Sequence, residues 1–579
     1  MSSVVTATAI STRRRVGVSW DPILLGVGVM VVLGLVLTIL TVGVLVAASL
    51  NEGTLLEKWA PSIANFLEVI RNKKFLTVLS NTLRLASGSV AVMLCWAIPL
   101  AWLYTRTDLP GKKVMVVLMT LRIAVPGFLV AMGYIFLLNP SNGIANLIVK
   151  NVFGLEGPFF NIYSLNWMVF FQGTALVTAA FFMIVPTFNA IDAALEEAAF
   201  VSGVSKWTTL RRIVLPLAGP VIFAAGIYYF IIAIEMFDYA GIIGLPFRLV
   251  VFSTWIFQMV NPPYDMPQYG QAAALGLFGV AGISLLTMLY LWSIRRAEKY
   301  AVVTGKRGQQ RATRLSLRAK VLAWFFIGAF SSIDLVIPVL MLVWTSLVPY
   351  QQMPSLEAVK LLSLSSYRAI WPELPPLLIR TGTLMLAVPT LAVTISACTA
   401  WVINRTRLPG RKTIEFALMA ALAVPAIVGA LSFLYLGLSI YKLIPIYTTI
   451  WLMVFAVTAR EITWGNRTIS GAMLQLHREL EEACSVSGIP RGRTFISVVI
   501  PIVSPALLFS WFWLALLTVR NLTIPIMLKR PNTEVLSTAI YGFNAAGKSS
   551  YASALGVVLL ILIGIVVIAF QFVVRKRHV

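Results

Sequence analysis

The residues able to do chemistry in this sequence are few, and most stand where charge is expensive. Glu235, Asp238 and Tyr239 fall at i, i+3 and i+4 inside an apolar stretch, a spacing that puts them on one face of a helix. Arg520 and Asn521 interrupt a second such stretch, and Arg460 with Glu461 a third. Ionisable groups in hydrocarbon mark a pathway or a paired site, so these residues are candidates to line or gate a passage for polar cargo. Arg520 lies 285 residues beyond Glu235, the offset of the repeat described below, and the two side chains are expected to meet across that passage. The plain alternative is a structural ion pair, or end-of-span residues reaching headgroups. Arg84, Arg122 and Arg380 lie nearer span ends or mid-helix, where snorkelling or packing accounts for them. Cys95, Cys398 and Cys484 form no ligand or disulfide pattern, and both histidines, His477 and His578, fall in segments between or beyond the apolar runs. No catalytic residue and no metal site is expected.

One motif points elsewhere. Gly542-Phe-Asn-Ala-Ala-Gly547-Lys548-Ser549 satisfies the phosphate-cradling pattern G-x-x-x-x-G-K-[ST]. A working P-loop follows a strand in a soluble domain, and this one sits between two apolar runs on the outer side, so it reads as a chance match. The chain then has no ATPase of its own.

The elements that hold these residues follow from composition. Of 579 residues, 59% are hydrophobic and 12% charged, with a mean hydropathy of +0.87. Runs of about 20 apolar residues are needed to cross hydrocarbon. Twelve are present: 22–48, 82–104, 114–138, 165–188, 217–243, 272–294, 320–347, 377–402, 416–438, 447–469, 502–528 and 552–574. The fold class is an all-α membrane protein. The net charge of +24 gathers at Arg13–Arg15, in every second connection, between Arg295 and Lys320, and at Arg575–Arg577. That placement orients the chain with both termini in the cytoplasm and gives no reason to invoke nucleic acid. The run after Arg15 is too long for a cleaved signal and lacks a small-residue cleavage site.

The chain also repeats itself. Leu195-Glu196-Glu197-Ala198-Ala199 leads to Gly203 and Pro216, and Leu480-Glu481-Glu482-Ala483-Cys484 leads to Gly488 and Pro501, at a constant offset of 285. Arg106-Thr-Asp-Leu-Pro110-Gly111 recurs as Arg405-Thr-Arg-Leu-Pro409-Gly410, and Pro126 as Pro425, at an offset of 299. A longer outside loop from Asn139 to Ser164 in the first copy explains the difference. Residues 1–294 and 320–579 are therefore two six-helix halves in one orientation, joined by a cytoplasmic linker at 295–319. In each repeated loop a short helix is expected before the glycine and a second short helix, capped in the first copy by Ser205, up to the proline. An interfacial helix is expected near Trp59-Ala60-Pro61.

These loops resemble the "EAA" loop of the permease subunits of ATP-binding-cassette importers. The first copy matches at every fixed position; in the second, Cys484, Val498 and Ile500 are size-conservative replacements. The fused two-half arrangement, the run Glu235-Met-Phe-Asp-Tyr-Ala-Gly-Ile-Ile-Gly-Leu-Pro246, Tyr269–Gly276 and Pro531–Ser537 look like the fused ferric-iron permeases. The resemblance implies a type I importer fold in a bacterial inner membrane. It implies that Glu197, Ala198, Ala199, Gly203, Glu482, Ala483, Cys484 and Gly488 seat in two copies of an ATP-binding subunit, where ATP and Mg are bound. It implies also an extracytoplasmic binding protein that delivers cargo, and alternating access between two states. Acid and tyrosine oxygens suit hard Fe³⁺. They suit an organic cation equally well, so thiamine, polyamine or aminoethylphosphonate stay open as cargo, and an ion-driven secondary transporter as the other class.

Overall fold

Backbone groups in hydrocarbon have no water to bond, so apolar runs of this length satisfy themselves as helices. A computed structural model describes residues 21–52, 59–154, 157–299, 313–420 and 423–575. Arg13–Arg15, Lys576, Arg577, His578 and 300–312 of the linker lie outside the described residues. Among the described residues nine helices are long and apolar enough to span. They are Pro22–Leu50, Phe75–Arg106, Leu165–Ala190, Trp207–Glu235, Tyr269–Ile294, Leu317–Leu347, Leu374–Arg405, Arg491–Val519 and Ser549–Val573. Each answers one of the expected spans.

The remaining three differ for local reasons. The third is a pair, Lys112–Ala124 and Gly127–Leu138, bent by 94°. Pro126 forces Val125 into an extended conformation and supplies no N–H, so the helix must restart after it. Pro425 likewise caps the start of Ala426–Ser439. The tenth, Ile450–Leu474, is a full helix of 25 residues made less apolar by Arg460, Glu461 and Arg467.

Two expectations are corrected. Spans five and eleven end at Glu235 and Val519, short of the limits expected for them. A bent pair, Ala240–Phe247 and Phe252–Val260 at 70°, follows the fifth. The second short helix of the first repeated loop is no separate element. Lys206–Thr209, capped by Ser205 Oγ, runs through a π-turn at Leu210–Val214 straight into the fifth span. The short helix expected near Trp59-Ala60-Pro61 is Ala64–Arg71, just after those three residues.

The repeat is visible as paired contacts. Phe252 N donates to Thr82 Oγ1 at 2.9 Å, and Leu536 N donates to Thr381 Oγ1 at 3.0 Å. Ser253 Oγ donates to the Met236 carbonyl and Ser537 Oγ to that of Asn521. The first helix of each half crosses to the other. Pro22–Leu50 packs on Leu374–Arg405 and Ala426–Ser439, and Ile337–Leu347 packs on Gly127–Leu138. The second approach is backbone to backbone, since a Cβ on Gly133 would come within 2.5 Å of the Pro338 carbonyl. Both crossings are pinned at the basic ends of the spans. Gly492 N donates to Asp21 Oδ2 at 3.0 Å, and Lys320 Nζ lies 2.8 Å from Asp108 Oδ2.

Candidate functional site

The two repeated loops have one geometry. Gly203 and Gly488 take positive φ of 74° and 77°, which L side chains resist, and so end the helices Ala193–Val201 and Glu479–Val486. Beyond the spans, both loops leave the same apolar side chains bare. Leu195 and Leu480 are each 44% exposed, Val201 and Val486 86% and 90%, and Val204 and Ile489 36% and 38%. Glu197, Ala198, Glu482 and Ala483 are exposed beside them, whereas Ala199 is buried and Cys484 half-buried.

The side chain that fixes each loop is the one the sequence reading passed over. Arg106, at the end of the second span, pairs with Glu196 at 2.8 Å and donates to the carbonyls of Phe188 and Ile191. Arg405 repeats this with Glu481 at 3.7 Å and the carbonyls of Met473 and Leu476. The first glutamate of each pair is thus a clamp, and the second makes no ion pair among the described residues. Burial pushes the Glu481 carboxyl up, against the pull of Arg405. The signal was there, since both arginines open the recurring Arg-Thr-x-Leu-Pro-Gly loop.

The centre departs from expectation. The helix stops at Glu235, with Met236 extended, so Glu235 stands on a different helix from Asp238 and Tyr239 rather than on one shared face. Glu235 does not meet Arg520. Its carboxylate pairs with Arg460 at 2.8 Å and accepts from Ala426 N at 3.2 Å, at the start of a half-helix that Pro425 created. Such a start offers free N–H groups and a positive dipole end. Asp238 lies at the matching start in the first half, where a Cβ on Gly127 would be 2.7 Å from its Oδ2. Arg520 instead donates to the Ile123 carbonyl at 2.5 Å, and Asn521 Oδ1 accepts from Ile524 N. Glu461 is 4% exposed and its Oε2 has no hydrogen-bond partner.

Arg122 is no snorkelling residue. It is buried, 2.8 Å from Asp334 on the seventh span, and donates to Tyr239 Oη at 3.4 Å, while Tyr134 Oη donates to the Ile333 carbonyl. This cluster joins the halves. Beside the Glu235–Arg460 pair, a space of about 20 Å³ lined by Pro425, Ala426, Gly429 and Ile524 has room for roughly one water. Among the described residues no group of His, Cys, Asp and Glu is arranged to hold a metal ion.

No family model matches the chain. A ferric transport system permease protein of Actinobacillus pleuropneumoniae is 22% identical over 540 residues, covering 90% of this chain and 74% of that protein. The chain resembles the ferric transport permeases. A putative ferric permease of Haemophilus influenzae is 22% identical over 467 residues, covering 76% of this chain and 68% of its own. The spermidine/putrescine permease protein PotC of Escherichia coli is 24% identical over 188 residues, which is 32% of this chain and 70% of PotC. A ferric permease thus matches along both halves and PotC along about a third of the chain. Against that likeness the P-loop pattern dissolves: Leu536–Ala545 is a helix, no strand precedes it, and Gly547 at φ 75° ends it.

Proposed function

We propose that this chain is the membrane-spanning permease of an ATP-driven importer in a bacterial inner membrane, with both termini in the cytoplasm and ferric iron as cargo. The observation that carries the reading is the duplicated loop: two copies, held by the same arginine, present the same bare apolar residues outside the spans. Exposed apolar side chains repeated in this way mark a surface that another protein covers. Its natural occupants are two copies of an ATP-binding subunit, which bind ATP and Mg. Leu195, Val201 and Val204 enter one groove, and Leu480, Val486 and Ile489 the other. Glu197 and Glu482 supply a directional charge at the rim, and Ala198, Ala199, Ala483 and Cys484 allow close approach. The chain divides into halves 1–294 and 320–579 with a linker at 295–319.

ATP-driven closure of the partner subunits pulls both loops, and Arg106 and Arg405 pass that motion to the second and eighth spans. Glu235 and Arg460 then separate, and the space between the half-helix starts at Gly127 and Ala426 opens to cargo handed over by an outside binding protein. Asp238, Tyr239, Glu461, Arg520 and Asn521 lie around that route. Differential binding in two states is all that transport requires of the permease.

The test is reconstitution in lipid with the neighbouring-encoded ATP-binding subunit and a binding protein loaded with Fe³⁺ or with spermidine. Stimulated ATP hydrolysis is expected with the Fe³⁺-loaded protein. It should vanish in Val201→Asp with Val486→Asp, which are too exposed to disturb folding. Stimulation by spermidine alone would change the cargo, and failure to bind any ATPase would make an ion-driven transporter the better account.

A further inference from the structure

The first half carries an apolar groove whose counterpart in the second half is filled. It encloses about 300 Å³ between the second, fifth and sixth spans and the helix Phe252–Val260, lined by Phe75, Thr82, Phe230, Phe252, Gly279 and Gly282 among others. Leu79, Leu83 and Phe278 at its edges are exposed, so it opens toward the bilayer. The two glycines make it. A Cβ on Gly279 would strike the Phe252 ring at 2.2 Å, whereas one on Gly282 would meet nothing within 4 Å.

The repeat shows what would otherwise stand there. Gly276 packs against Val428 and Leu45, and Gly556 packs against Leu129 and Leu342, so each glycine meets one residue of its own half and one of the other. That register, an offset of 280, sets Gly279 against Leu559 and Gly282 against Leu562. Leu559 is fully buried and Leu562 packs on the core. One helix of the repeat thus fills its own face while the other leaves a space.

Charge at the groove's outer end says what enters. Arg71, Lys73 and Lys74 are exposed immediately before Phe75, the first lining residue, and none makes an ion pair among the described residues. Glu68, one turn before Arg71, accepts from Gln271 at 2.6 Å and makes no ion pair with either lysine among the described residues. We infer that the groove holds one acyl chain of an anionic phospholipid whose phosphate sits on Lys73 and Lys74. The chain then backs Phe252 and Trp255, so a lipid buttresses the helix that follows the fifth span. This rests on the membrane location and not on the cargo.

The test uses the full chain in mild detergent, titrated with phosphatidylglycerol or phosphatidylcholine of equal chain length and read by native mass spectrometry and thermal midpoint. Preferential retention of phosphatidylglycerol is expected, with a rise in midpoint. Lys73→Gln and Lys74→Gln, both on the surface, should each reduce that preference by roughly fivefold. Gly282→Phe, which projects into open space, should abolish retention of both lipids, and Gly282→Ala should not. Equal retention of the two lipids, or a preference unchanged by the lysine variants, would overturn the inference. So would a small membrane polypeptide that copurifies with the wild type and is lost with Gly282→Phe.

Discussion

Two buried ion pairs carry opposite kinds of information at the level of single residues. Arg122 and Asp334 are 4% and 1% exposed and belong to different halves. Breaking such a pair strands a charge, at a cost of about 3–5 kcal/mol, while replacing both partners with apolar groups is close to neutral. Arg122→Met should therefore lower the thermal midpoint sharply, and Arg122→Met with Asp334→Leu should restore most of it. Equal losses in the single and double variants would show that the pair is not what binds the halves there. Glu235 and Arg460 are less buried, at 14% and 30%, and stand beside the small space lined by Pro425 and Ala426. If they hold it shut, Glu235→Gln should raise ATP-independent leak of cargo from vesicles roughly tenfold or more, the weight of a charged hydrogen bond. An unchanged leak would reduce the pair to scaffolding. The sequence placed Glu235 among the costly charges but gave it the wrong partner. A symmetric offset says which positions correspond, not which side chains touch, and the break after Glu235 turned it toward Arg460.

Elements were legible wherever apolar length alone decides, which is why nine spans appear where they were read. They were less legible where a single proline acts: Pro126 and Pro425 were noticed as a matching pair, yet the 94° bend and the half-helix starts they create were not anticipated. The repeated loops were readable in sequence, but their clamps were not, because Arg106 and Glu196 are 90 residues apart and meet only when the second and fourth spans pack. Arg106→Gln should leave the complex assembled but cut cargo-stimulated ATP hydrolysis, with faster amide exchange across 193–203. Unchanged exchange would show that the arginine does not hold the loop. The seventh span has its own tether, since Leu315 N and Lys320 hold the Asp108 carboxyl below the usual carboxylate range. A depressed pKa gives stability that is complete above the unfolded value of about 3.9 and fades as pH falls through the lower folded one. Exchange at the Leu315 amide should thus accelerate only below about pH 4, and in Asp108→Asn that acid-dependent step should be absent.

For the whole molecule, the crossing of each half's first helix onto the other means that covalent continuity is not what keeps the halves together. A protease site placed between Lys299 and Thr313 should yield two fragments that stay in one particle through size-exclusion chromatography. Separation of the fragments would mean that the packing of Pro22–Leu50 and Leu317–Leu347 is too weak to serve as the joint. The same crossing sets a schedule for biosynthesis. Helix Pro22–Leu50 is made first, yet the surfaces it packs on, Leu374–Arg405 and Ala426–Ser439, leave the ribosome some 350 residues later, roughly 20–70 s at ordinary synthesis rates. Until then its partners come only from its own half, chiefly the sixth span Tyr269–Lys299. Its sequence suits the delay: from Pro22 to Leu50 it contains no charged residue, so it has nothing to hide until its partner arrives.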